Sequence, residues 1–203
     1  MSREPDSTAH WNAVHQDKAA DAVSWFEASP DRSLDWIARV GSADTDAVID
    51  VGGGLSGLAG ALFDRGFTDV SLLDISDAAV NRQVGARPAL HGIVADIAEW
   101  RPDRTYGVWH DRAVLHFLRS DEALAGYRRA LEAAVRPDGH AIFAVFAPDG
   151  PERCSGLPVR RYDAAALGEF VGTGFHRLWD ERFEHVTPSG AVQRFQVAAF
   201  RRR

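Results

Sequence analysis

Asp50-Val51-Gly52-Gly53-Gly54-Leu55-Ser56-Gly57 carries the reading of this chain. Gly52, Gly54 and Gly57 stand in a G-x-G-x-x-G spacing, after a short apolar run at 47–51 and before an amphipathic stretch at 55–65. Glycines at a strand-to-helix turn let the chain fold back tightly and let a ligand approach the main chain. The helix N-terminus then offers free N–H groups. Taken alone the spacing also serves packing, so its neighbours decide.

Outward from that loop, short apolar runs alternate with amphipathic stretches. Strands are expected at 69–74, 90–94, 106–110 and 140–147. Helices are expected after Ser76 to Val84, after Ser120 to Val135 and after Asp163, each opened by a side chain suited to capping. Pro137-Asp138-Gly139 reads as a turn. Runs at 176–186 and 191–201, joined by Thr187-Pro188-Ser189-Gly190, must pair antiparallel as a hairpin. Alternation of this kind predicts an α/β fold, a Rossmann-like, doubly wound and mostly parallel seven-stranded sheet closed by that C-terminal hairpin. The first 47 residues read as helical. Ser29-Pro30 opens a helix that buries Leu34, Ile37 and Val40 and stops at Gly41. The expected division is an N-terminal helical cap over 1–46 and one compact domain over 47–203.

Composition bounds the function. The chain has 203 residues, 45% hydrophobic and 26% charged, enough for one well-packed domain and too apolar for wholesale disorder. No run is long enough to span a bilayer, and the first 18 residues show charges without an apolar stretch, so a cytoplasmic protein is expected. Its one cysteine, Cys154, forms no internal disulfide; without an adjacent base it is expected to be inert. The scattered histidines predict no metal site. The net charge is −6, and residues 1–150 carry 14 basic against 23 acidic side chains, which argues against nucleic acid as partner. A monomer or homodimer without a membrane partner is expected.

Two aspartates give the glycine loop a ligand. Asp74 ends the second strand, where a carboxylate can accept from both hydroxyls of a ribose, and Asp96 follows the third, placed to meet an adenine amino group. Ligands in such sheets sit at the carboxyl edge, so three successive strand ends point to an adenosine-containing molecule. A nicotinamide enzyme of this length would want a Tyr-x-x-x-Lys pair, yet the only lysine is Lys18. A P-loop is excluded because no Gly-Lys-Ser/Thr occurs.

What remains resembles the class I S-adenosylmethionine-dependent methyltransferases, in particular small stand-alone bacterial ones, over about residues 10–203. The class resemblance rests on Asp50-Val51-Gly52-Gly53-Gly54, Asp74, Ala95-Asp96-Ile97, the turn Arg136-Pro137-Asp138-Gly139-His140 and the terminal hairpin, and the narrower one on HDRAVLHFL at 110–118 and APDGPERCSGLPV at 147–159. Asp138 stands where that family has glycine. The resemblance implies that S-adenosyl-L-methionine is the cofactor and S-adenosyl-L-homocysteine the product. It places Gly52 and Gly54 against the methionine part, Asp50 on its amino group, Asp74 on the ribose and Ile75 on the adenine. It puts Asp96 and Ile97 beside the adenine and Asp111 at the junction of cofactor and substrate.

Methyl transfer from a sulfonium is an in-line displacement, so alignment and exclusion of water matter most. A base is needed only for an acceptor that arrives protonated, and Asp111 and His116 are the candidates. Arg112 is placed to meet an acidic substrate. Trp11, His15, Lys18, Trp25 and Phe26 crowd ahead of the glycine loop as a lid. The expected acceptor is a small molecule. Protein lysine, a non-catalytic adenosyl-binding partner subunit, and aminocarboxypropyl transfer or cyclisation remain alternatives.

Overall fold

In the computed structural model, which describes residues 7–17 and 20–203, a seven-stranded sheet carries helices on both faces. The chain runs through α1 (Ser7–Asp17), α2 (Asp31–Ala38), β1 (Val48–Val51), α3 (Leu58–Asp64), β2 (Val70–Asp74), α4 (Asp77–Ala86) and β3 (His91–Val94). It continues with β4 (Tyr106–Arg112), α5 (Asp121–Ala134), β5 (Val135–Phe146), β6 (Arg153–Cys154), β7 (Leu157–Pro158), α6 (Ala164–Val171), β8 (Phe175–Val186) and β9 (Val192–Arg202). The strand order is β3-β2-β1-β4-β5-β9-β8. The first five strands pair in parallel, and β9 and β8 are antiparallel, as the hairpin requires. Strand order reverses between β1 and β4, which opens a crevice at their carboxyl ends.

The pleat divides the core. On β5, Ala141, Phe143 and Val145 face a cluster with Tyr127, Leu131, Leu167 and Phe170 of α5 and α6. Ile142, Ala144 and Phe146 face the opposite cluster, with Leu34 of α2, Leu58 and Leu62 of α3, and Val80 of α4. Strands covered on both faces read as continuous apolar runs, which is why 140–147 reads as a strand in the sequence. Each large side chain buried this way contributes about 1.5–3 kcal/mol. Ser76, Ser120 and Asp163 accept from Ala79 N, Ala123 N and Ala166 N, the caps expected of them. Each is worth about 1 kcal/mol.

Several expectations are corrected. Pro30, not Ser29, takes the cap position of α2; Ser29 Oγ instead donates to the Asp31 carboxylate at 2.7 Å. Residues 23–30 are not helical, and among the described residues between them and α1 there is a short 3-10 turn, Ala20–Ala22. The Pro137-Asp138-Gly139 turn is absorbed into β5, where Asp138 adopts φ 60° and the register with β4 shifts between Tyr106 and Val108. The small β6–β7 pair was not foreseen. β4 runs two residues further than expected, to Arg112, so Asp111 lies within the strand. No described helix is long and apolar enough to cross a membrane.

Candidate active site

The loop between β1 and α3 sits at the crevice. Gly52 and Gly54 adopt φ +67° and +49°, a region that L side chains avoid. A Cβ on Gly52 would lie 1.9 Å from Val114 Cγ2, whereas one on Gly57 would meet nothing within 4 Å. Gly52→Ala is therefore expected to cost about 3 kcal/mol, from a left-handed backbone plus overpacking. Gly57→Ala should change stability by under about 0.5 kcal/mol. Thermal unfolding of the two variants checks this. Equal midpoints would refute it.

Two cavities meet beside this loop, of about 240 and 90 Å³. Gly52, His15, Trp25 and Arg112 line both. The larger also takes in Gly54, Asp74, Ile75, Asp96, Ile97 and Trp11. Asp50 and Phe26 line the smaller. The fold thus gathers residues from 11 to 154 in the sequence around one crevice. Lys18 lies outside the described residues.

Asp74 is nearly fully buried. Its Oδ2 accepts from Gly54 N at 2.9 Å and its Oδ1 from Ser76 N at 2.8 Å, so it ties the glycine loop to the start of α4. Burial pushes its pKa up to about 6 against the pull of those backbone bonds, with nearby Asp50 adding to the rise. A carboxylate has about four lone-pair sites, so each oxygen can still accept from a ligand hydroxyl. Asp96 is exposed and accepts from Ala98 N at 2.9 Å, while Ile97 is buried beside it.

Asp111 and His116 line neither cavity. Asp111 is completely buried. Its carboxylate accepts from Val114 N at 2.9 Å, from Leu115 N at 3.0 Å and from the Tyr127 hydroxyl, which itself accepts from Trp109 Nε1. The sequence reading set Asp111 at the junction of cofactor and substrate as a base; the side chain instead points into the α5 side of the core. Parity is the cause. On β4, Val108 and His110 face one side of the sheet and Trp109 and Asp111 the other. His116 is equally buried, with its ring 4.5 Å from Phe117 and 4.7 Å from Phe146 and neither nitrogen hydrogen-bonded. Burial drives its pKa down to about 3.

Arg112, expected to face an acidic substrate, is largely enclosed by the N-terminal segment. Its Nη2 pairs with Glu27 at 2.9 Å and its Nη1 donates to Trp25 O at 3.3 Å. Trp11 packs edge-on against Trp25 and Phe117, at 5.7 and 5.1 Å. His15 lies near both tryptophans, and burial lowers its pKa. Cys154 lines the larger cavity, where burial pushes its thiol up to about 11.

Sequence reasoning missed Ser33, His110 and Glu27, which line the smaller cavity. His110 was legible in principle. It stands opposite Asp50 in the register of β4 on β1, and its Nδ1 lies 2.8 Å from Asp50 Oδ1. Its Nε2 lies 3.0 Å from Ser33 Oγ.

No protein-family model matches the chain, and no curated protein matches it. Solved structures do. One, from work on conversion of a disulfide bond into a thioacetal group during echinomycin biosynthesis, is 21% identical with a TM-score of 0.73, over 96% of this chain and 92% of the other. A SAM-dependent methyltransferase from Anabaena variabilis is 14% identical with a TM-score of 0.73, over 97% and 93%. The Burkholderia thailandensis 1,6-didemethyltoxoflavin-N1-methyltransferase, solved with 1,6-didemethyltoxoflavin and S-adenosylhomocysteine, is 19% identical with a TM-score of 0.67, over 97% and 84%. Sheet order, terminal hairpin and these near-complete overlaps agree: the chain has the fold of the class I S-adenosylmethionine-dependent methyltransferases.

Proposed function

We propose that the protein is an S-adenosyl-L-methionine-dependent methyltransferase acting on a small molecule. The observation that carries this is the pair of cavities meeting at Gly52, one lined by Asp74, Ile75, Asp96 and Ile97 and the other by Asp50. These residues fit the cofactor. Gly52 and Gly54 bring the main chain to the cavity wall, and buried Asp74 and Asp50 present acceptors on either side of it. Asp74 would hold the ribose, Ile75 and Ile97 the adenine, Asp96 its amino group, and Asp50 the ammonium of the methionine end. When bound, the cofactor supplies an electrophilic methyl on sulfur and departs as S-adenosyl-L-homocysteine.

The chain's own part is alignment and dryness. Trp11, Trp25 and Phe26 cover the cavities as a lid, and Arg112, through Glu27 and Trp25, fastens that lid to the sheet. His15, rather than Asp111 or His116, is placed to act as base: it lines both cavities, and its neutral imidazole offers a lone pair to an acceptor that arrives protonated, although burial weakens it as a base. The similarity of fold to a methyltransferase solved with 1,6-didemethyltoxoflavin bound supports the small-molecule reading.

Calorimetric titration with S-adenosyl-L-homocysteine tests the site. Asp74→Ala should weaken binding about a hundredfold, the loss of a charge-assisted acceptor at a buried ribose. Binding to the wild type should also weaken as pH falls below about 6, because protonated Asp74 no longer accepts fully from both hydroxyls. Absence of binding, or binding indifferent to Asp74→Ala, would sink the reading. Product mass then separates methyl transfer from aminocarboxypropyl transfer, which would release methylthioadenosine.

A further inference from the structure

Asp50, His110 and Ser33 form a continuous hydrogen-bonded chain along one wall of the smaller cavity. Asp50 Oδ1 lies 2.8 Å from His110 Nδ1, and His110 Nε2 lies 3.0 Å from Ser33 Oγ. All three are buried, at 3%, 1% and 2% exposure, and all three line the cavity. The elements that bring them together are separate in sequence: β1, β4 and the first turn of α2. The second carboxylate oxygen of Asp50 is turned toward the glycine loop. A Cβ on Gly53 would sit 2.6 Å from Oδ2, and Ser56 Oγ approaches it only to 3.5 Å.

The order of protons follows from donor and acceptor chemistry. An ionised Asp50 can only accept, so Nδ1 carries the ring proton. With the ring carrying that one proton, Nε2 accepts and the Ser33 hydroxyl donates. We propose that Ser33 and His110 are positioning residues for Asp50: the Ser33 hydroxyl holds the His110 ring against Asp50 as the neutral Nδ1–H tautomer. Asp50 thereby keeps a full negative charge, with Oδ2 aimed at a primary ammonium in the smaller cavity. This rests on the methyltransferase reading, in which that ammonium belongs to the methionine end of the cofactor. A doubly protonated ring would cancel the charge of Asp50, and a ring without the Ser33 bond would be free to turn away from it.

The relay makes a demand that plain packing does not. It should matter for ligands that carry the ammonium and not for ligands that lack it. S-adenosyl-L-homocysteine and 5′-methylthioadenosine share the adenosine and the thioether, and only the first has the amino-acid end. In Ser33→Ala, affinity for S-adenosyl-L-homocysteine should fall about tenfold, while that for methylthioadenosine stays within about twofold. His110→Leu should lose more, and His110→Asn, whose side-chain N–H can still reach Asp50, should recover part of it. Nitrogen-15 spectra of the wild-type protein at pH 7.5 should show His110 protonated on Nδ1 alone. Equal weakening of both ligands in Ser33→Ala, no weakening of either, a ring protonated on Nε2, or a doubly protonated ring would each overturn the proposal. If the wild type binds neither ligand, the methyltransferase reading fails separately, and the His110 tautomer alone then judges the relay.

Discussion

Asp111→Ala is expected to lower the unfolding midpoint by roughly 10 °C while leaving the cavities intact. The substitution orphans three buried donors, Val114 N, Leu115 N and the Tyr127 hydroxyl. Each unsatisfied donor costs about 1–3 kcal/mol, and a domain of this size shifts by about 2–4 °C per kcal/mol. The penalty should grow on acidification. Burial raises the Asp111 pKa from 3.8 to about 6, so the folded state holds its proton more tightly than the unfolded chain does. The stability from that difference is fully present below about 3.8 and is lost as pH rises to about 6. Alanine has no such titration, so wild type and variant should differ more at pH 4.5 than at pH 7.5. Denaturant unfolding at the two pH values measures it. A midpoint unchanged alongside lost methyl transfer would return Asp111 to catalysis.

His116→Leu should do the reverse and stabilise the protein. Both ring nitrogens are buried without a partner between Phe117 and Phe146, and an apolar side chain of similar volume removes that burden. The gain at neutral pH is expected at about 1–2 kcal/mol. Here the folded pKa is depressed, from 6.5 to about 3, so the histidine's contribution is intact above 6.5 and is lost as pH falls towards 3. The slope is about 1.4 kcal/mol per pH unit. The leucine variant, which takes up no proton, should therefore pull ahead of wild type steadily below pH 6.5. Stability curves that fall in parallel on acidification would mean that His116 finds a partner or a route to water.

These two residues show where sequence reading ends. Asp111 and His116 are titratable, stand at or just past the end of a strand that points at the crevice, and lie within two residues of Arg112 and Val114 respectively, which do line the larger cavity. Nothing in their local sequence separates them from a catalytic pair. What separates them is strand parity. β4 extends through Arg112 with Val51 beside Asp111 and Asp50 beside His110, and that register sends Asp111 inward and His110 to the cavity. A shift of one residue would exchange their roles.

Other features were legible because they depend on local chemistry. The glycine loop, the caps at Ser76, Ser120 and Asp163, the apolar run of β5 and the turn of the β8–β9 hairpin each follow from short-range sterics or hydrogen bonding. Strung together they specify a doubly wound sheet. Asp74 belongs with them, since a strand-end carboxylate beside a glycine loop has few other places to go. The N-terminal lining of the cavities was only half legible. Trp11, His15 and Trp25 could be seen as a cluster, but Glu27 and Ser33 meet Arg112 and His110 across 85 and 77 positions of chain. Sequence by itself thus determined the fold and its carboxyl-edge crevice, because both follow from periodicity and turn chemistry. Which polar side chains face that crevice was decided by tertiary structure alone, because it depends on register between strands and on contacts that no local pattern encodes.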